Sequence, residues 1–151
     1  MHPYRNFVLM ILVSSTVMHG LMYLNTYEVS HVWFSQTRLF MTFIMAGSVA
    51  LVMLFFMRHM YKSTRKNVAI IVGSVASMVL GLWLVRSQST VNDVAWMKAM
   101  IPHHSIAILT SERATIADPR ARKLAGEIIQ TQKREIAEME ALIRDLESAR
   151  K

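Results

Sequence analysis

The chain has 151 residues, no cysteine, 13 methionines and a formal net charge of +7, and 53% of its residues are hydrophobic. This hydrophobic share exceeds that of an average globular protein, so a membrane protein is the first class to test. The charge does not indicate nucleic acid binding, because residues 1–86 hold 7 basic and 1 acidic side chains, residues 87–151 hold 10 and 9, and no basic face carries interleaved aromatic residues.

Three apolar runs without Asp, Glu, Lys or Arg come first, at residues 7–24, 39–57 and 68–85. Each is close to the roughly 17 to 25 residues that a membrane-spanning helix needs. The first run lacks a small-x-small cleavage pattern before Asn25, so we interpret it as a retained helix and not as a signal peptide. The sequence therefore predicts a three-helix transmembrane anchor in residues 1–86, held in a lipid bilayer.

The basic residues of the connections predict the orientation of this anchor. The connection between the second and third runs has four positive charges and no acid: Arg58, Lys62, Arg65 and Lys66. Basic loops of this kind stay in the cytoplasm. Arg86, after the third run, favours the opposite orientation, but it is one charge against four. We therefore expect the inner (cytoplasmic) membrane, a cytoplasmic N-terminus and a periplasmic C-terminal domain. The absence of cysteine fits an oxidising compartment.

Residues 87–151 predict an antiparallel helical hairpin, with helices at roughly residues 93–116 and 119–148. Asp118 is a typical cap, and Pro119 suits the first position of the second helix. Candidate caps of the first helix are Ser89, Thr90 and Asn92. With the turn centred near Asp118, equal rise per residue places Met97 level with Met139 and His104 level with Gln132.

The predicted fold class is therefore all-α, with three transmembrane helices followed by an extramembrane two-helix hairpin. Domains of about 60 residues are marginal in stability, because they bury little apolar surface. We expect the hairpin to be completed to a helical bundle, either by self-association or by a partner in a membrane protein complex.

Two thioethers and two imidazoles lie close together at the start of the hairpin. Met97, Met100 and His104 follow at spacings of 3 and 4, so they share one face of a helix, while His103 points about a quarter turn away. These side chains are ligands of soft transition metals. Two alternatives stay open: a methionine stripe can be core packing, and the histidines can hydrogen-bond carbonyls that Pro102 frees.

The string Met100-Ile-Pro-His103-His104, with the later Gln132-Lys-Arg-Glu135-Ile-Ala-Glu-Met139, resembles the DUF305 family over about residues 92–146. The resemblance implies a ferritin-like helical hairpin. Some members of that family are periplasmic copper-binding proteins. By resemblance, the positions of interest are Met100, His103, His104, Gln132, Glu135 and Met139, and the helix-face argument adds Met97.

The sequence departs from the family pattern at three positions. Ser105 stands where the family often has Gln, Leu109 where a Met is common, and Leu142 where a Trp often follows the last Met. The methionine that is missing at position 109 weakens the case for copper. The membrane anchor lies outside the region of resemblance, so its role does not come with the family.

The hypothesis from the sequence is a membrane-anchored periplasmic metal-binding protein, in copper tolerance or delivery and not an enzyme. We expect Cu(I) as the metal and zinc as the less favoured one, since thioether with imidazole selects Cu(I). The predicted metal residues are Met97, Met100, His103, His104, Glu135 and Met139. Gln132 and Glu135 can instead form only a polar pair between the helices. The alternative function is an accessory or structural subunit of a larger membrane protein complex, with the hairpin as an interaction module.

Overall fold

A computed structural model describes residues 3–149, and these residues form helices and connections without a strand. Two short 3-10 turns lie at Val29–His31 and Arg58–Met60. The five α-helices are α1 (Pro3–Leu21), α2 (Gln36–Phe56), α3 (Thr64–Ser87), α4 (Asp93–Arg113) and α5 (Pro119–Ser148). The all-α prediction is confirmed for the described residues.

The chain forms two compact units. The first runs up to Met22 and includes Thr37–Thr90. The second combines Tyr23–Gln36 with the chain from Val91 onward. The connection between α1 and α2 therefore packs with the hairpin, although it lies within the part of the sequence assigned to the anchor.

Among the described residues, two helices and not three are long and apolar enough to cross a membrane. These are α2 and α3. The prediction of a third span in α1 is not supported, because Arg5, Asn6 and His19 fall within its 19 residues and shorten its apolar stretch. The first unit thus has two helices that are able to span a bilayer by length and composition.

The helices of the first unit pack closely through small and aromatic residues. A Cβ atom on Gly47 would lie 2.6 Å from the carbonyl oxygen of Ser74, so only glycine permits this approach of α2 to α3. Phe7 and Tyr61 are buried and meet edge to face at 5.3 Å. Glycine contacts of this kind are typical of helices that pack in membranes.

The hairpin helices begin at the residues that the capping pattern predicts. Asn92 accepts a hydrogen bond from the backbone N–H of Ala95 at 2.9 Å, and Asp118 accepts one from Arg120 at 2.8 Å. Both interactions satisfy donors that the first turn of a helix leaves unpaired. Helix α5 has the predicted bounds, whereas α4 ends at Arg113 and not near residue 116.

The ion pairs between α4 and α5 join residues of α5 that lie further along the chain than the predicted level partners. His104 faces Glu135 instead of Gln132, with Nδ1 3.3 Å from Oε2, and Lys98 pairs with Glu147. The cause is the connection: Ala114 and Asp118 have extended backbone angles. Extended residues advance the chain by about 3.3 Å each, so the first turns of α5 lie beyond the end of α4.

The segment Tyr23–Gln36 packs on the hairpin around one buried hydroxyl, that of Ser105. The backbone N–H of Tyr27 donates to Ser105 Oγ at 2.6 Å, and Nδ1 of His31 lies 2.9 Å from the same oxygen. Trp33 and Tyr27 also pack against the apolar core of the unit, whose buried members are Val94, Met97, Ile101, Ile108, Ile136, Met139 and Ile143. A segment of the same chain thus covers part of the apolar surface that a bare hairpin would expose.

Candidate functional site

An open groove of about 420 Å³ lies between helices α4 and α5, and we call it the Met-His groove. It contains side chains that bear sulfur, nitrogen and oxygen donors together with two large apolar ones. The lining residues are Trp96, Met97, Met100, His104, Glu135, Glu138, Met139 and Leu142. Five of the six predicted metal residues therefore meet at one place, and His103 does not.

The periodicity of the two helices explains this meeting. Met97, Met100 and His104 lie at spacings of 3 and 4 on α4, and Glu135 and Met139 lie four residues apart on α5. Residues at these spacings share one helix face. Because the two helices pack along their length, each presents its polar and sulfur-bearing stripe to the same groove.

The methionines form the floor of the groove. Met97 is 4% exposed and Met139 is 6% exposed, and both belong to the apolar core of the unit. Met100 is half-buried and packs against that core. A thioether fits a core because it is apolar, and its sulfur remains a soft donor. Packing and metal binding are thus compatible for these three residues.

His104 and Glu135 form the polar part of the groove. Only 13% of the His104 side chain is exposed, and its Nδ1 atom is shielded from solvent. Nδ1 lies 3.3 Å from Oε2 of Glu135, an ion-pair distance that lacks in-line hydrogen-bond geometry. The amide of Gln132 donates to the same Oε2 atom at 3.4 Å. Gln132 therefore supports Glu135 from outside the groove lining.

Burial lowers the pKa of His104 below the ordinary histidine value. The negative charge of Glu135 acts in the opposite direction, and the neighbouring His103 lowers the pKa further. Desolvation disfavours the charged imidazolium, and here it is the largest of the three effects. His104 is consequently neutral near pH 7, which is the form that binds metals.

His103 is exposed and does not line the groove. Its ring centre lies 6.0 Å from that of His104, with the planes tilted by 57°. Adjacent residues of a helix point about 100° apart, so the two imidazoles cannot both face α5. The structure therefore gives the adjacent histidines different surroundings.

Sequence reasoning missed two residues of the groove, Trp96 and Glu138. Trp96 is 51% exposed and lies at the rim. A signal for both existed, since Trp96 stands four residues before Met100 and Glu138 stands three after Glu135. Leu142 was noted only as a departure from the family pattern, and it is also a rim residue.

Within residues 3–149, no cluster of three or more His, Asp or Glu side chains is arranged to hold a metal ion. The Met-His groove brings one imidazole and two carboxylates together with three thioethers. A metal bound there by more than two side chains of this chain would therefore need sulfur ligands.

The fold and the groove define a helical chain with a C-terminal hairpin, and residues 83–149 match a domain of unknown function, DUF305. The chain is 30% identical over 106 residues to uncharacterized protein L153 of Acanthamoeba polyphaga mimivirus, a match that covers 69% of this chain and 68% of the viral protein. The protein belongs to the DUF305 family. No solved structure matches the chain significantly.

The similarity to the viral protein is longer than the DUF305 match, and only two residues follow residue 149. The similarity therefore reaches into the chain before residue 83, where α3 and the preceding helices lie. The viral relative shares more with this chain than the hairpin alone.

Proposed function

We propose that this protein is a membrane-anchored metal-binding protein whose Met-His groove takes Cu(I), in copper tolerance or delivery. The observation that supports it most is the meeting of Met97, Met100 and Met139 with the neutral imidazole of His104 in one groove. Three thioethers and one imidazole supply up to four donors, which suits Cu(I). The donor set fits this metal without a cysteine.

Zinc fits the groove less well. Structural zinc sites use four ligands drawn from Cys, His and carboxylates. In the groove the ligands of this type are His104, Glu135 and Glu138, and they do not form a metal-binding cluster. The bound Cu(I) ion would supply no catalysis in this proposal; it is the cargo that the groove holds.

The anchor would hold the groove at the outer face of the inner membrane. In this proposal α2 and α3 cross the bilayer as a pair, with the basic connection at residues 58–66 in the cytoplasm. The segment Tyr23–Gln36 and the hairpin belong to one compact unit, so they lie on the same side of the membrane. Two crossings, by α2 and α3, would likewise return the chain to the side on which Tyr23–Gln36 lies, and this agreement supports the arrangement.

A second candidate function, an accessory subunit of a membrane protein complex, is favoured by a different observation. The hairpin leaves large apolar side chains exposed, namely Trp96, Leu124, Leu142 and Leu146. Exposed apolar residues of this kind are found at protein interfaces. This candidate predicts co-purification with a partner at fixed stoichiometry, and it is compatible with metal binding.

Anaerobic competition for Cu(I) against a chromophoric chelator tests the first proposal. The full-length chain in detergent is used, because residues 87–151 alone would lack the segment Tyr23–Gln36. We expect one Cu(I) per chain in the wild type and loss of stoichiometric binding when Met97, Met100 and Met139 are all replaced by Leu, a swap that costs little packing.

The matched control replaces three methionines outside the groove, Met41, Met53 and Met60, by Leu. Its Cu(I) uptake should equal that of the wild type. Equal uptake by the groove variant and the control, or no uptake by the wild type, would refute the proposal and leave the methionines as packing residues.

A further inference from the structure

We propose that Glu135 is a positioning residue and not a metal ligand: it holds His104 in the tautomer with the proton on Nδ1, which leaves Nε2 to bind the soft metal. Only the second part of this inference, the binding of metal by Nε2, rests on the proposed function. The tautomer itself is a property of the protein without metal, so it can be tested separately.

The side chains of Glu135 and His104 lie in contact. Oε2 of Glu135 lies 3.3 Å from Nδ1 of His104, and this nitrogen is shielded from water. Within residues 3–149 the other ring nitrogen, Nε2, makes no hydrogen bond to a protein group and is not among the buried unpaired atoms. The shielded nitrogen lies beside a carboxylate, and the second nitrogen is the accessible one.

Electrostatics then selects the tautomer. In the neutral imidazole, one nitrogen carries a proton and the other a lone pair. The Nδ1–Oε2 line is not in hydrogen-bond geometry, but at 3.3 Å, with no room for water between the two atoms, the charge of Glu135 repels a lone pair on Nδ1 and attracts an N–H there. The proton is therefore placed on Nδ1, and the lone pair on Nε2.

The chemistry of the carboxylate supports a positioning role over a ligand role. Carboxylate oxygens are hard donors, which Cu(I) does not favour when thioethers are present. Oε2 of Glu135 already accepts a hydrogen bond from Gln132 at 3.4 Å. Carboxylates that face the second nitrogen of a histidine ligand are common at metal sites, where they fix the ring and raise its basicity.

Nitrogen NMR of histidine tests the tautomer without metal. The full-length chain is labelled with ¹⁵N-histidine in detergent and observed at about pH 8, above the ordinary histidine pKa. His104→Gln assigns the two ring signals. We expect a protonated Nδ1 and an unprotonated Nε2 in the wild type. A proton on Nε2 instead would overturn the proposal.

Three variants of α5 test whether the carboxylate of Glu135, and not a general change in the helix, sets the tautomer of His104. Glu135→Leu removes the carboxylate and should convert His104 at least partly to the Nε2–H tautomer. Glu135→Gln keeps an acceptor oxygen and should retain the Nδ1–H tautomer. Glu140→Leu changes a carboxylate outside the groove and should change nothing. An unaltered tautomer in Glu135→Leu would refute the role of Glu135.

Binding of Ag(I), a diamagnetic substitute for Cu(I), tests the second half. We expect the metal to shift the Nε2 signal of His104 and leave Nδ1 protonated. Glu135→Leu should bind at the same stoichiometry with affinity lowered about 10- to 100-fold, as for other carboxylates behind histidine ligands.

The outcomes separate the two proposals. If the wild type binds no metal, the proposed function fails, while the NMR result on the free protein still decides the tautomer. If Glu135→Leu loses all stoichiometric binding, Glu135 is a ligand and the inference is wrong. Equal affinity of Glu135→Leu and the wild type would overturn it as well.

Discussion

The imidazole of His104 is subject to opposing effects within a few ångströms. Burial disfavours its positive charge, the carboxylate of Glu135 favours it, and burial is the larger effect. The sequence predicted that Met97, Met100 and His104 share a face, because helical spacing alone decides this. It placed Glu135 on the facing helix but did not predict the burial of Nδ1 or the contact of Glu135 with His104, since both depend on the exact register between two helices.

Acidification is expected to destabilise the wild type more than the variant His104→Gln. Below about pH 6.5 the unfolded histidine takes up a proton, whereas the folded one, with its lowered pKa, stays neutral. The unfolded state then binds more protons, so the free energy of unfolding decreases as the pH falls from about 6.5 towards the folded pKa. Urea denaturation at a series of pH values, followed by circular dichroism, measures the difference. Identical pH dependence in both proteins would contradict this prediction.

The elements differ in how far the sequence determined them. Helix α5 has its predicted bounds because Asp118 and Pro119 mark its start without ambiguity. Helix α4 ends at Arg113, before the apolar Ile116 that extended its pattern, since Ala114 turns the backbone out of the helix. The packing of Tyr23–Gln36 on the hairpin was not foreseen, because this segment has no helical or alternating pattern and its contacts are far away in sequence.

Ser105→Ala is expected to loosen the packing of this segment on α4. The change leaves the partly buried N–H of Tyr27 without its acceptor; a fully buried unsatisfied donor costs about 1–3 kcal/mol, and partial exposure reduces this cost. Hydrogen exchange followed by mass spectrometry should show faster exchange across residues 23–36. Ser148→Ala, on the exposed end of α5, is the control. Unchanged exchange in Ser105→Ala would show that the hydrogen bonds of Ser105 do not hold the segment.

At the scale of the whole molecule, acidic residues are confined to the second unit. Every Asp and Glu lies either in Tyr23–Gln36 or after Thr90, so the Asp, Glu, Lys and Arg positions of the first unit are all Lys or Arg. The sequence predicted three spans from apolar length, whereas two helices satisfy length and composition together. Polar residues near both ends of α1 account for the difference.

The proposed topology predicts which positions a membrane-impermeant maleimide can reach in intact cells. The chain has no cysteine, so single substitutions report without background. Glu28→Cys and Glu147→Cys should both be labelled from outside, because they belong to one compact unit. Lys62→Cys should be labelled only after the membrane is made permeable. Labelling of Lys62→Cys in intact cells, or of only one of the other two, would refute the topology.

The contact between Tyr27 and Ser105 also has a consequence for synthesis of the chain. The two residues are 78 positions apart, so the segment at residues 23–36 leaves the ribosome long before its binding surface exists. It remains without its partner until α4 has been made and has met α5. Closing so long a loop costs entropy, which the native contacts recover only once they form. The second unit therefore completes its folding last, when both ends of that loop have been translated.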